Sequence, residues 1–263
     1  MNIVVLVKQV PDTWAERKLT AAGTLDRASV DGLINELDEY AIEEGLQLAE
    51  AQRAAGNEAE VTILTMGPEK AAESIRKALS MGADKAVHLL DDGLAGSDGL
   101  STSYALAQVL GQIGFDLVIS GSESTDARMG VMAAMLAERL GVPQVSLANK
   151  VEIDGSAIRI RRVSEDGYFE VESTLPAVIS VVEKINEPRY PSFKGIMAAK
   201  KKPVQTMSLA DAGIDPAKVG LGGAATEVVD HTQRPPRAAG TVVKDEGDGG
   251  VKVAEFLAAR KFI

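Results

Sequence analysis

Asp116–Gly141, DLVISGSESTDARMGVMAAMLAERLG, is the stretch whose reading sets the fold. Phe115–Ser120 has the continuous apolar character of a buried strand. Gly121–Ala127 is a run of small and hydroxylated residues, and Arg128–Leu140 sets Met129, Met132, Met135, Leu136 and Leu140 at helical spacing. A strand, a small-residue turn and a helix in that order can cradle an anion, because the first helical turn offers free N–H groups and the positive end of the helix dipole. The same order also arises from capping alone, with Ser124, Thr125 or Asp126 as the N-cap. The spacing leaves both readings open.

Working outward, the composition narrows the classes. The 263 residues, 45% of them apolar, suffice for one large domain with an appendage or for two small ones. No run approaches the roughly 18 apolar residues of a membrane helix, and Met1 leads directly into a strand, so a cytoplasmic protein that is not itself a membrane protein is expected. The absence of cysteine excludes disulfides, thiolate chemistry and sulfur-ligated zinc or iron. Any redox work would need a bound organic cofactor. His88 and His231 have no ligand-spaced companions, so no metal is expected. A formal net charge of −10 argues against a nucleic-acid partner. The one basic island, Arg189, Lys194 and Lys200–Lys202, reads by default as a solvated loop.

Upstream of the opening stretch, strand-like and helix-like runs alternate. Asn2–Val10 (NIVVLVKQV) reads as a central strand, and Trp14–Ser29 as a surface loop or small hairpin. Asn35 or Asp38 can cap a helix running to about Ala55. Glu60–Met66 is a strand, and Gly67-Pro68 opens a helix that ends before Gly82. Lys85–Leu90 is a strand, and a helix from about Ser101 to Ile113 follows. Four strand–helix alternations imply parallel strands with right-handed crossovers: an α/β protein with a mostly parallel, doubly wound sheet.

Downstream of Gly141 the period changes. Val145–Ile153, Ala157–Val163, Tyr168–Ser173 and Ala177–Val182 are strand-like and are separated in part by the hairpin signals Asp154-Gly155 and Asp166-Gly167. Antiparallel strands added to the parallel sheet are expected here, which makes 1–185 one α/β domain. From Asn186 onward the Pro- and Gly-rich chain reads as an extended C-terminal arm, 186–263, that wraps a partner. A last helix, about Gly250–Arg260, has Val251, Val253, Phe256 and Leu257 to bury.

Val5–Val10 (VLVKQV), Asn35–Glu44 (NELDEYAIEE), Arg76–Asp84 (RKALSMGAD) and Asn186–Lys202 (NEPRYPSFKGIMAAKKK), with Arg234–Gly240 (RPPRAAG) in the tail, have a further meaning. Through them nearly the whole chain resembles the beta subunit of electron transfer flavoproteins. The resemblance implies a heterodimer with an alpha subunit, one FAD held mainly by alpha, and a structural AMP in beta. It also implies electron transport in fatty acid oxidation, from acyl-CoA and other dehydrogenases to a membrane quinone oxidoreductase. This chain would then carry no catalytic residue; the flavin does the electron chemistry.

Carried over by position, the AMP site comprises Leu6, Asn35, Glu36, Leu37, Asp38, Met66, Gly121, Ser122, Glu123, Ser124, Thr125, Asp126, Ala127, Arg128, Met129, Gly130, Val131 and Met132. Thr13 falls near the FAD. Tyr190, Phe193, Ile196 and Met197 become the partner-docking residues, with Phe193 as anchor. Within the loop the chain departs from a common family pattern, since Met129–Met132 offers neither hydroxyl nor amide. Phosphate contacts are therefore expected from backbone N–H groups, Ser122, Ser124, Thr125 and Arg128, and Asp126 is expected to cap the turn. Ser120–Asp126 also faintly suggests an adenine-nucleotide hydrolase, and a nucleotide-sensing module is a further alternative. The Gly-Lys-Ser/Thr phosphate loop is missing, and the long arm disfavours a sensing module.

Overall fold

In the computed structural model, β-branched runs and amphipathic helices alternate as strands and crossovers. Residues 1–237, 239–240 and 242–263 are described; Ala238, within the Arg234–Gly240 motif, lies outside them. The chain forms two compact units, Met1–Val228 and Val229–Ile263.

The first unit begins with β1 (Asn2–Leu6), then a small antiparallel pair, β2 (Gln9–Pro11) and β3 (Gly32–Ile34), joined through the 12–31 segment. Next come α1 (Glu36–Ala54), β4 (Glu60–Met66), α2 (Ala72–Met81), β5 (Lys85–Leu89), α3 (Gly99–Ile113), β6 (Leu117–Gly121) and α4 (Met132–Leu140). Four more strands follow: β7 (Gln144–Asp154), β8 (Ala157–Ser164), β9 (Gly167–Thr174) and β10 (Ala177–Val181). The unit closes with α5 (Phe193–Ala199), β11 (Val204–Met207) and the short α6 (Gly220–Gly223).

The nine-stranded sheet runs β11-β5-β4-β1-β6-β10-β7-β8-β9. From β11 through β7 all neighbours are parallel, while β7–β8 and β8–β9 are antiparallel. Side chains alternate across it. Ile3, Val5, Ile63 and Ile119 pack on Ala41, Ile42 and Leu46 of α1 and on Ile75 of α2. Val4, Leu64 and Val118 face Leu106 and Leu110 of α3 and Leu136 of α4. Both faces are covered, which is why the parallel strands read as unbroken apolar runs rather than alternating ones. The sheet grows from β1 in both directions, so the loops after β1 and β6 lie side by side at the switch point, where an open α/β sheet forms its crevice.

Three boundaries differ from the sequence reading. The first strand stops at Leu6, because the chain leaves the sheet at Val7 and Gln9–Pro11 pairs with β3 instead. The run 177–181 is no antiparallel addition: all five residues are buried, and it lies parallel between β6 and β7. The chain after Asn186 first returns to the domain. Val204–Met207 extends the far edge beside β5, and Met207, Leu209, Ala212, Ile214 and Val219 enter the core, so the separate C-terminal unit begins only at Val229. That unit carries α7 (Gly249–Ala259), on which Val251, Val253 and Phe256 are exposed. Among the described residues no helix is long and apolar enough to cross a membrane.

Candidate functional site

The loop after β6 is shaped by its contact with the start of α1. At Gly121 an added Cβ would lie 2.8 Å from both Asp38 Oδ1 and the Leu37 carbonyl carbon, so only glycine lets the two backbones meet. Asn35, fully buried, staples them together. Its Nδ2 donates to Asp38 Oδ1 (2.8 Å) and to the Glu123 carbonyl (3.0 Å), and its Oδ1 accepts from the Thr125 N–H (3.1 Å). Asn35 stands at the N-cap position of α1 but makes no side-chain cap bond; it bonds the Asp38 side chain in its own first turn and reaches Glu123 and Thr125 across the crevice instead.

Lys8, just beyond β1, is locked to the same turn. The Asn35 N–H donates to the Lys8 carbonyl (2.9 Å), and the Lys8 N–H donates to Asp38 Oδ2 (2.8 Å). Burial pushes the Asp38 carboxyl up to about 7 despite these hydrogen bonds. The Lys8 ammonium reaches Ser124 Oγ (3.2 Å) and Asp126 Oδ1 (2.8 Å), and Arg27 pairs with Asp126 Oδ2. Burial would raise Asp126, but Lys8 and Arg27 hold it well below the usual carboxylate range.

This corrects the role expected of Asp126. The helix does not begin at Arg128, because Arg128 (φ 50°) and Gly130 (φ 65°) take left-handed conformations and α4 starts only at Met132. Asp126 is therefore too far upstream to cap it and turns its carboxylate, 2% exposed, into the two cations. Arg128 is likewise drawn to Glu123 Oε1 (3.2 Å) rather than into the crevice.

The remaining expected residues divide clearly. Asn35, Asp38, Gly121, Glu123, Ser124 and Thr125 are in mutual contact with Lys8 and Asp126, while Leu6 and Met66 end the neighbouring strands β1 and β4. Thr13 lies on the 12–31 segment and donates to Glu36 Oε1 (3.3 Å). Lys8 and Arg27 were not among the expected site residues. The only signal for Lys8 is a charge at the end of an apolar strand, and nothing in the order of residues marks Arg27. Two hydroxyls at the crevice, Ser120 Oγ and Thr125 Oγ1, are buried without a partner among the described residues. An unmet buried hydroxyl costs about 1–3 kcal/mol, which water or a bound polar group would offset, as it would for Asn149 Oδ1 and Arg161 Nε on β7 and β8. Close backbone approach, unmet hydroxyls and two cations suit an anionic group such as a phosphate.

A second feature lies on the α1–α2 side. Ser192 caps α5 by accepting from the Gly195 N–H (3.0 Å), and Gly195 lets the helix pack against α2, where a Cβ would run into the Ser80 carbonyl. Tyr190 and Phe193 project outward, 94% and 80% exposed, with Ile196 and Met197 half exposed beside them.

The family model of the electron transfer flavoprotein domain matches residues 22–212. Electron transfer flavoprotein subunit beta of Mycobacterium bovis is 55% identical, with all of this chain and 99% of the relative covered. The subunit beta of Megasphaera elsdenii is 36% identical, with both chains covered in full. The caffeyl-CoA reductase-Etf complex subunit CarD of Acetobacterium woodii is 33% identical over 92% of each chain.

Proposed function

The chain belongs to the electron transfer flavoprotein family, and from that premise we propose that it is the beta subunit of a heterodimer, seating a structural AMP at the β6–α4 loop. The observation that carries the AMP reading is the junction itself: Gly121 against Leu37 and Asp38, Asn35 bridging to Thr125, and Lys8 at Ser124, with two buried hydroxyls left to satisfy. Backbone N–H groups of the loop, Ser124, Thr125 and Lys8 would hold the phosphate. Leu6 and Met66 at the strand ends would flank the rest of the nucleotide.

An FAD held mainly by the alpha subunit supplies the one-electron chemistry, and this chain binds, shields and docks. Thr13 on the 12–31 segment is the residue assigned to the flavin side. Electrons would arrive from acyl-CoA and other dehydrogenases in fatty acid oxidation and leave to a membrane quinone oxidoreductase, the whole working in the cytoplasm. Tyr190, Phe193, Ile196 and Met197 form the docking face, and the C-terminal unit with its exposed Val251, Val253 and Phe256 would cover the alpha subunit.

Coexpression with an alpha-type chain tests the proposal. The purified complex should carry one FAD and one AMP per heterodimer, read from its visible spectrum and by chromatography of the released nucleotides. Two FAD would assign the seat to a second flavin, and no adenine nucleotide beyond one FAD would remove the seat altogether.

A further inference from the structure

The 12–31 segment leaves the body of the domain between β2 and β3 and carries Trp14, 94% exposed and the sole tryptophan of the chain. Its course is set mainly by contacts within itself, such as the Asp26 N–H to the Lys18 carbonyl (2.9 Å) and the Thr20 N–H to the Thr24 carbonyl (2.8 Å). Leu19 and Leu25 bridge within it, and its tip at Gly23 rests on Val228. Asp26 fixes the backbone around Arg27, accepting from the N–H groups of Ala28 (3.0 Å) and Ser29 (3.1 Å). Among its ties to the crevice are Thr13 to Glu36 at its start and Arg27 to Asp126 near its end. The second is the stronger, being charge-assisted and made to a carboxylate closed off from solvent.

The charge balance at that contact is unequal. Lys8 and Arg27 bring two positive charges and Asp126 one negative, and Asp38, whose carboxyl burial raises to about 7, offsets at most part of the rest, so net positive charge remains beside a loop that presents small residues and unmet hydroxyls. Each oxygen of Asp126 is taken by one cation, whereas the ammonium has three N–H donors and the guanidinium five, more than Asp126 and Ser124 use. Donors are thus left for a phosphate without the carboxylate being given up.

We infer that Arg27 is a positioning residue that fastens the 12–31 segment to the nucleotide seat, so that phosphate in the seat and the placement of Thr13 and Trp14 are coupled through the Lys8–Asp126–Arg27 junction. This rests on the AMP reading given above. A phosphate dianion beside the junction offsets its surplus charge and favours the closed arrangement. By linkage, a fastened segment must in turn raise the affinity for the nucleotide. The structural nucleotide then has a purpose toward the flavin side: it holds in place the segment that carries Thr13.

The heterodimer can be examined by limited trypsin digestion, following by mass the cut after exposed Arg17 or Lys18, together with the rate of AMP release. Wild type should be cut about two- to fivefold more slowly with AMP than without, the scale of one partly exposed ion pair. Arg27→Gln should be cut at the faster rate whether or not AMP is present and should release AMP about two- to fivefold faster. Arg27→Lys should fall between the two. Because Arg27 is half exposed, its replacement leaves the core intact, and the melting temperature of the nucleotide-free complex should fall by no more than a few degrees. A wild-type complex that neither holds nor takes up adenine nucleotide overturns the seat and the coupling together. A wild type that holds AMP, with Arg27→Gln matching it in cutting and in release, overturns the coupling and leaves the seat standing.

Discussion

Arg189 grips Glu43 through two guanidinium nitrogens, at 2.7 and 2.9 Å, across 146 residues of chain. A third nitrogen reaches Glu50 at 2.6 Å, and the Arg189 backbone N–H also donates to Glu43. Burial works against the charge on Glu43, yet Arg189 holds its carboxyl below the ordinary range, and Asn186 bonds to Tyr40 and Glu44 alongside. The segment leading to Phe193 is thereby anchored to one face of α1 while its apolar residues point away. Replacing Arg189 with Ala leaves the nearly buried Glu43 without its cation and should destabilise the protein by about 1–3 kcal/mol. The urea midpoint of the heterodimer measures this. A midpoint equal to wild type would mean that the segment is held by other contacts.

Phe193→Ala separates docking from folding. An exposed ring contributes little to the domain, so stability should stay within about 0.5 kcal/mol of wild type. If the ring is buried by a partner, its loss removes roughly 1.5–3 kcal/mol of association. Reduction of the flavin at subsaturating dehydrogenase should then slow by about tenfold or more. Stopped-flow reduction at equal FAD content decides; an unchanged rate rejects Phe193 as an anchor.

Gly121→Ala should damage the seat at its tightest point. The new methyl meets Asp38 and the Leu37 backbone at 2.8 Å, and a backbone neighbour cannot swing aside as a side-chain tip can. A cost of about 1–3 kcal/mol is expected, with AMP content well below one per heterodimer. Melting and nucleotide analysis check both, and full AMP occupancy would show that the loop and the α1 turn part easily.

Asp38 and Asp126 pull the pH dependence in opposite directions. Burial raises Asp38 to about 7, so from about pH 4 to 7 the folded chain keeps a proton that the unfolded chain has given up. The stabilising effect of Asp38 is complete below that window and is lost as pH rises through 7. Asp126 is lowered instead, so its contribution is present above its ordinary pKa and disappears as pH falls. In Asp38→Asn the fall in urea midpoint between pH 5 and 8 should be shallower than in wild type. Parallel profiles would show that another group titrates.

The doubly wound body was legible because strands buried on both faces leave continuous runs such as Asn2–Leu6 and Leu117–Gly121, and because glycine and proline mark the turns. The place of Ala177–Val181 was not legible. A hairpin signal says that two strands pair, but a five-residue buried run carries no mark of its neighbours, which are fixed by the space between β6 and β7. In the candidate site the small-residue loop and Asn35 were readable, whereas the cations were not. Lys8 and Arg27 lie 118 and 99 residues from Asp126, and only the completed sheet brings them together. The capping role expected of Asp126 failed for a local reason, the left-handed turn at Arg128 and Gly130 that delays the helix.

The position of β10 has a consequence for how the chain is assembled during synthesis. The β7–β8–β9 ladder is joined by short turns and can close by itself, but it meets the rest of the sheet only through β10. Residues 1–140 supply β1, β4, β5 and β6 with their covering helices, so the crevice can take shape while the ladder is still unattached. A nascent chain stopped before Ala177 would present β6 as a bare edge, and the ladder would have no inner neighbour. The last strand to join the middle of the sheet thus acts as its keystone, and exposure of that edge is briefest when emergence of residues 177–181 follows closely on the ladder.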